Sequence, residues 1–297
     1  MITTPAPQPD VVIRLRAAGC VFAEEEAALL AAAATGPDHL DALVERRISG
    51  QPLEHVLGWA EFCGLRIAVD PGVFVPRRRT GFLVKRAVRL LRHKGSPGRL
   101  PVVVDLCCGS GAVGAALAVL AGPLKLYAAD IDAAAVRCAA RNVAPFGGKT
   151  YEGDLYEPLP AHLRGAVDVL AVNAPYVPSA EISTMPREAR LHEPRASLDG
   201  GDDGQAVHRQ VAAAATMWLA PGGSLLIETS RRQAPKTVEL FARNGLTARV
   251  ARSKALDATV VIGTVDIGRA DIRTAGSYPE TTRTAPAAPP LSPGDPV

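Results

Sequence analysis

The chain has 297 residues, 47% of them hydrophobic, enough to bury a large core and to exclude a disordered protein. The formal net charge is only +3 and the basic residues, mostly arginine, are not clustered, which argues against direct nucleic-acid binding. No apolar run approaches the roughly 20 residues that cross a bilayer, and no basic-then-apolar leader opens the sequence, so a cytoplasmic protein without membrane contact is expected.

The first ten residues, "MITTPAPQPD", and the last thirty are rich in Pro, Thr and Ala and are expected to be disordered tails, 1–10 and 268–297. Between about 10 and 50, apolar residues recur at three- and four-residue spacing, which predicts short amphipathic helices forming a small domain. "EFCGLRIAVDPGVFVP" (61–76) alternates and carries Asp70-Pro71-Gly72 in its middle, so it reads as a β-hairpin turning there. "RTGFLVKRAVRLLRHKGSPG" predicts a helix closed by Gly95. These segments make up an N-terminal unit, 11–95.

From 96 to about 267 the pattern changes to short buried strands, "PVVVDL", "KLYAAD", "KTYEGD", "VDVLAVN", "GSLLIET", "LTARVA" and "TVVIGT", the first four separated by helix-like stretches. This is the rhythm of a doubly wound parallel α/β sheet, in which ligands bind outside the carboxyl ends of the strands. Asp105, Asp130, Asp154 and Asn173 stand at the first four of those ends and are expected to face one crevice. The five cysteines have neither paired metal spacing nor the density of a disulfide scaffold; reduced thiols and no metal are expected.

The first strand opens "DLCCGSGAVG", whose Gly109, Ser110 and Gly111 supply a tight turn and free N–H groups at a helix start. With Asp130 downstream, this also fits a dinucleotide fingerprint, which keeps an NAD-dependent oxidoreductase open. Asp105 argues for a cationic ligand instead: a carboxylate about 5 Å from a phosphate charge at an effective dielectric near 20 costs roughly 3 kcal/mol. S-adenosylmethionine fits, with its amino-acid end at Asp105 and the loop, its ribose at Asp130 and its adenine at Asp154 and Leu155.

"NAPY" (173–176) ends the fourth strand. A planar NH2 group can be held for methylation by two acceptors, the Asn173 side-chain oxygen and the Ala174 carbonyl. Pro175 restricts the backbone at Ala174, and Tyr176 offers a flat face to the substrate. The tetrapeptide is similar to the [ND]PPY motif of methyltransferases that act on amide or exocyclic-amine nitrogen.

Together with "QPLEHVLGWAEFCGLRIAVDPGVFVPRRRTGFLV", "DLCCGSG", "HEPRASLDGGDDGQAVHRQ" and "LAPGGSLLIETSRRQ", this motif makes residues from about 40 to 265 resemble the HemK/PrmC family. These are the protein-(glutamine-N5) methyltransferases that modify peptide-chain release factors. The resemblance implies the seven-stranded Rossmann-like class I methyltransferase sheet with a small N-terminal helical substrate-recognition domain and a β-hairpin. It puts S-adenosylmethionine on Asp105, Cys107, Cys108, Gly109, Ser110, Gly111, Asp130, Asp154, Leu155 and Asn173. It puts the substrate amide on Asn173, Ala174, Pro175 and Tyr176, of which Asn173, Pro175 and Tyr176 carry catalysis. The implied partner is a release factor or another glutamine-bearing protein, and the chain is expected to act as a monomer.

Some positions depart from the family pattern. Ala174 replaces a proline, Cys107 a glycine, and in "VPRRRTG" Arg78, Arg79 and Gly81 replace Pro, Glu and Glu. Three consecutive arginines at 77–79 lead us to expect a partner with an acidic surface there. A nitrogen methyltransferase of a nucleic-acid base or a small molecule remains the alternative.

Overall fold

The computed structural model describes residues 8–92 and 98–266. Gly95, the expected end of a helix, and the expected tail 268–297 lie outside the described residues. The N-terminal region is four helices, α1 (Pro9–Ala17), α2 (Ala23–Ala33), α3 (Pro37–Ile48) and α4 (Leu53–Leu57), which bury Leu15, Leu30, Leu43 and Val44 in a cluster of their own. Pro9 and Asp10, expected to be unstructured, instead begin α1. Proline presets φ at the first helical position, where no N–H is needed, and Asp10 faces the positive helix end.

A hairpin follows, β1 (Trp59–Phe62) with β2 (Leu65–Ala68). Its turn is Cys63-Gly64, not Asp70-Pro71-Gly72. A two-residue hairpin turn of this kind needs two left-handed residues, and Cys63 (φ 53°) and Gly64 (φ 80°) provide them, whereas proline is locked at negative φ. Asp70-Pro71-Gly72 forms the next turn, with Val73 N donating to Asp70 O at 3.1 Å. That turn delivers the strip from Phe74 to Thr80 to the site and leads into α5 (Gly81–Arg92), which buries Leu83, Val84, Ala87, Val88 and Leu91.

The remainder is β3 (Val102–Leu106), α6 (Ala112–Ala121), β4 (Lys125–Asp130), α7 (Ala133–Val143), β5 (Lys149–Glu152), β6 (Val167–Val172), α8 (Arg187–His192), α9 (Ala206–Trp218), β7 (Leu219–Thr229), α10 (Ala234–Arg243), β8 (Thr247–Ser253) and β9 (Ala258–Thr264). The strands form one seven-stranded sheet in the order β5-β4-β3-β6-β7-β9-β8, the class I methyltransferase arrangement. β3 to β7 run parallel, but β9 is antiparallel to both neighbours, a departure from the expected parallel sheet. Only residues 254–257 join β8 to β9, too few for the crossover of a dozen or more residues that a parallel pair requires. β3 and β6 are buried along their whole length, with α5, α6 and α7 over one sheet face and α9 and α10 over the other. No helix among the described residues is long and apolar enough to cross a membrane.

Strand order reverses at β3, whose neighbours are β4 and β6. A crevice therefore opens outside the carboxyl ends of β3 and β6.

Candidate active site

A cavity of about 340 Å³ occupies that crevice. Its floor is the loop after β3, in which Cys107 (φ 56°), Gly109 (φ 53°) and Gly111 (φ 74°) are all left-handed. Gly111 also meets a packing limit, since a Cβ there would lie 3.0 Å from that of Ala139. The loop is tied to the end of the neighbouring strand. Gly109 N donates to Asp130 Oδ2 at 2.8 Å, and Asp132 N donates to Asp130 Oδ1 at 3.0 Å. Burial pushes the Asp130 carboxyl up from its ordinary value, opposed by those backbone N–H groups.

Cys107, Cys108, Gly109, Ser110, Asp130, Asp154, Leu155, Asn173 and Pro175 line this one cavity. Asp105, Gly111, Ala174 and Tyr176 do not. Asp105 is 1% exposed and lies under the loop, accepting from Gly114 N at 2.8 Å. A Cβ at Gly114 would sit 3.2 Å from that carboxylate oxygen and 3.2 Å from Leu126 Cδ1, so a larger residue there would have to push one of them aside. Burial pushes the Asp105 carboxyl up to about 8. It is thus largely neutral at pH 7 and, contrary to expectation, brings no fixed negative charge that would favour a cationic ligand over a phosphate. Burial likewise raises the thiols of Cys107 and Cys108, which makes them poor nucleophiles.

Across the cavity, Asp154 and Leu155 follow β5, and Leu155 is itself left-handed (φ 46°). Ile131 and Val207 add apolar wall. At the β6 end, the Asn173 side chain makes no hydrogen bond among the described residues, so its amide is free to accept or donate into the cavity. Ala174 is buried beneath it. The expected flat face of Tyr176 is not in the cavity wall. Its hydroxyl takes a hydrogen bond from Arg79 Nη2 at 3.0 Å and donates to Glu228 Oε1 at 3.4 Å. Its carbonyl accepts from Gln233 Nε2 at 2.8 Å. Val177 N donates to Leu198 O at 3.1 Å, and Gly200 N to Val177 O at 2.8 Å. A Cβ on Gly204 would lie 2.3 Å from the Tyr176 oxygen, so the "DGGDDG" segment can approach this closely only as glycine.

Residue-by-residue reading of "LHEPRASL" puts Glu193 and Pro194 at the pocket rim, and Pro194 lines the cavity; the same reading missed Phe74, Pro76, Thr80, Ser197 and Asp199, which also line it. Their signal lies in the "VFVPRRRTG" and "HEPRASLDGG" blocks, where residue type alone marks the arginines, His192, Glu193 and Pro194 and gives no reason to single out these five. The three arginines do not form the free basic patch expected. Arg77 pairs with Glu193 at 2.5 Å, its guanidinium 5.0 Å from the Phe74 ring centroid, and Arg79 pairs with Glu228 at 3.2 Å. Arg78 alone is exposed without an ion pair among the described residues.

Residues 65–201 match the family described as Methyltransferase small domain. The chain is 36% identical over 205 residues to a release factor glutamine methyltransferase of Geobacter sulfurreducens, covering 68% of this chain and 69% of that one. It is 34% identical over 248 residues to the Mycolicibacterium smegmatis release factor glutamine methyltransferase, covering 78% and 86%. A 4-amino-L-phenylalanine/4-methylamino-L-phenylalanine methyltransferase of Streptomyces pristinaespiralis is 34% identical over 203 residues, covering 68% and 69%.

Proposed function

Because the chain belongs to the release factor glutamine methyltransferase family, we propose that its cavity holds S-adenosylmethionine against a substrate glutamine presented at Asn173 to Pro175. The protein is an S-adenosylmethionine-dependent protein-(glutamine-N5) methyltransferase. One observation carries the assignment of residues: Asn173, with an unengaged amide, and Pro175 line the same cavity as Gly109 and Asp130.

The residues present fit the cofactor. The volume lies within the range of small-molecule sites, and the wall combines apolar Leu155, Ile131 and Val207 with the carboxylates of Asp130 and Asp154. Each Asp130 oxygen spends one lone pair on a backbone N–H and keeps another for a ribose hydroxyl. Gly109 and Ser110 bring backbone close to the amino-acid end, while Asp154 and Leu155 face the adenine. Bound there, S-adenosylmethionine supplies an electrophilic methyl group and the leaving thioether.

The protein's contribution is then geometric. An amide nitrogen is a weak nucleophile while its lone pair is delocalised. Asn173 Oδ1 and the Ala174 carbonyl take its two hydrogens, favour a pyramidal nitrogen and aim the lone pair at the methyl carbon. Pro175 fixes the backbone that carries the second acceptor. No strong base is needed, because the cationic N-methyl amide formed by the transfer is a strong acid and gives its surplus proton to solvent. The N-terminal helices serve to recognise the protein substrate, a release factor, and the chain acts on it as a monomer.

Methyl transfer to a purified cognate release factor, followed by mass spectrometry for a +14 Da glutamine, tests the reading. The similarity to a methyltransferase of a free aromatic amine makes 4-amino-L-phenylalanine the counter-substrate. Transfer to that amine with none to the release factor would overturn the protein substrate in favour of the small-molecule alternative.

A further inference from the structure

Arg79, Tyr176 and Glu228 come from three separate elements and close a ring of polar contacts beside the proposed acceptor clamp. Arg79 Nε donates to Glu228 Oε1 at 3.2 Å, Arg79 Nη2 to the Tyr176 hydroxyl at 3.0 Å, and that hydroxyl to Glu228 Oε1 at 3.4 Å. Neither Arg79 nor Glu228 lines the cavity. The Glu228 side chain, at the end of β7, is only 2% exposed, and its second oxygen, Oε2, has no hydrogen-bond partner among the described residues. A carboxylate so placed depends on its counter-charge, and Arg79 is the cation in contact with it.

Tyr176 is the link between this ring and the clamp. Its main chain is pinned by Gln233, and the following residue is pinned by Leu198 and Gly200. The segment before it, Asn173 and Ala174, carries the two proposed acceptors, and the side chain of Asn173 has no anchor of its own among the described residues. Ala174 stands where a second proline would have stiffened this turn, so rigidity has to come from elsewhere.

We propose that Arg79 and Glu228 are positioning residues, which act through the Tyr176 hydroxyl to hold Asn173 and Ala174 in the geometry of methyl transfer. The inference rests on the proposed function of that clamp. Neither residue touches the substrate. Their effect is on the rate of the step, because small misplacements of a reacting group are amplified.

The test is a double-mutant cycle on the full chain with its release factor. Arg79→Ala and Tyr176→Phe are each expected to lower kcat roughly 10- to 100-fold, with KM and cofactor Kd little changed. The double variant is expected to be no slower than the slower single variant, because both remove one contact. Arg79→Lys is expected to recover part of the rate, since a point charge can meet Glu228 but not both partners. A raised KM at unchanged kcat, or additive losses, would overturn the proposal.

A second readout does not depend on turnover. Tyr176 is one of five tyrosines, so 3-fluorotyrosine labelling with Tyr176→Phe identifies its fluorine resonance. A resonance that moves in Arg79→Ala and in Glu228→Gln supports the inference, and one that stays in place overturns it. A wild-type chain that binds cofactor but methylates no release factor counts against the proposed function, and the fluorine measurement still decides this inference.

Discussion

The Asp130 carboxylate accepts the backbone N–H of Gly109 at 2.8 Å, so the end of β4 holds in place the loop that follows β3. One side chain thus serves both the loop and the ribose position. Asp130→Ala is therefore expected to weaken S-adenosylmethionine by about 1–3 kcal/mol through lost ribose hydrogen bonds. It is also expected to lower the melting temperature of the cofactor-free protein, because the N–H groups of Gly109 and Asp132 lose their acceptor. Calorimetry and thermal denaturation read the two effects. Unchanged affinity would remove Asp130 from the cofactor site.

Asn173→Ala separates the substrate from the cofactor. Its side chain has no hydrogen bond to lose among the described residues, so the fold and the cofactor affinity are expected to persist while methyl transfer disappears. Calorimetry beside a methyl-transfer assay checks this. If cofactor binding collapsed in a folded variant, Asn173 would belong to the cofactor and not to the acceptor clamp.

The middle of the sheet was legible because its central strands are mostly apolar and buried, with polar residues at or just past their carboxyl ends. Val102–Leu106 and Val167–Val172 look the same in sequence and in space. Direction was harder to read: periodicity does not tell a crossover from a tight turn, and the antiparallel β9 follows from the four residues before it. The hairpin turn was misplaced because Asp-Pro-Gly is the stronger turn signal, while Cys63 at positive φ gives none. Strand ends located Asp130 and Asn173 correctly, but a strand-end position cannot say on which side of a loop a carboxylate falls. Asp105 went beneath the loop. Arg77 and Arg79 read as a surface patch because their partners, Glu193 and Glu228, lie more than a hundred residues away and are brought together only by the fold.

Cys107 is expected to tolerate glycine better than a branched residue. At φ 56° an L-residue pays about 1–2 kcal/mol of local strain. Glycine relieves that strain but loses a small half-buried side chain and gains unfolded-state entropy, so Cys107→Gly is expected to change stability by less than about 1 kcal/mol. Cys107→Val adds β-branching in the same conformation and is expected to cost about 2 kcal/mol or more. Urea denaturation of the two variants checks the order. A Val variant as stable as wild type would mean that the loop does not hold this backbone.

Asp105 gives a pH dependence of defined sign. Its carboxyl is pushed by burial from 3.8 in the unfolded chain up to about 8 in the fold, so the folded state keeps a proton that the unfolded state releases. The stability this group contributes is complete below about pH 4 and declines as the pH rises through 8. Between those limits the loss is at most roughly 1.4 kcal/mol per pH unit. Asp105→Asn keeps an oxygen to accept from Gly114 N and cannot ionise, so it imitates the protonated acid. Asp130 is raised in the same direction, and subtracting the two proteins removes its share. The unfolding free energy of Asp105→Asn minus that of wild type, from urea titrations between about pH 5 and about pH 9, is expected to rise with pH and level off above the folded pKa. A difference that stays constant over this range would show that Asp105 is ionised in the fold, which would restore a charged carboxylate beneath the cofactor loop.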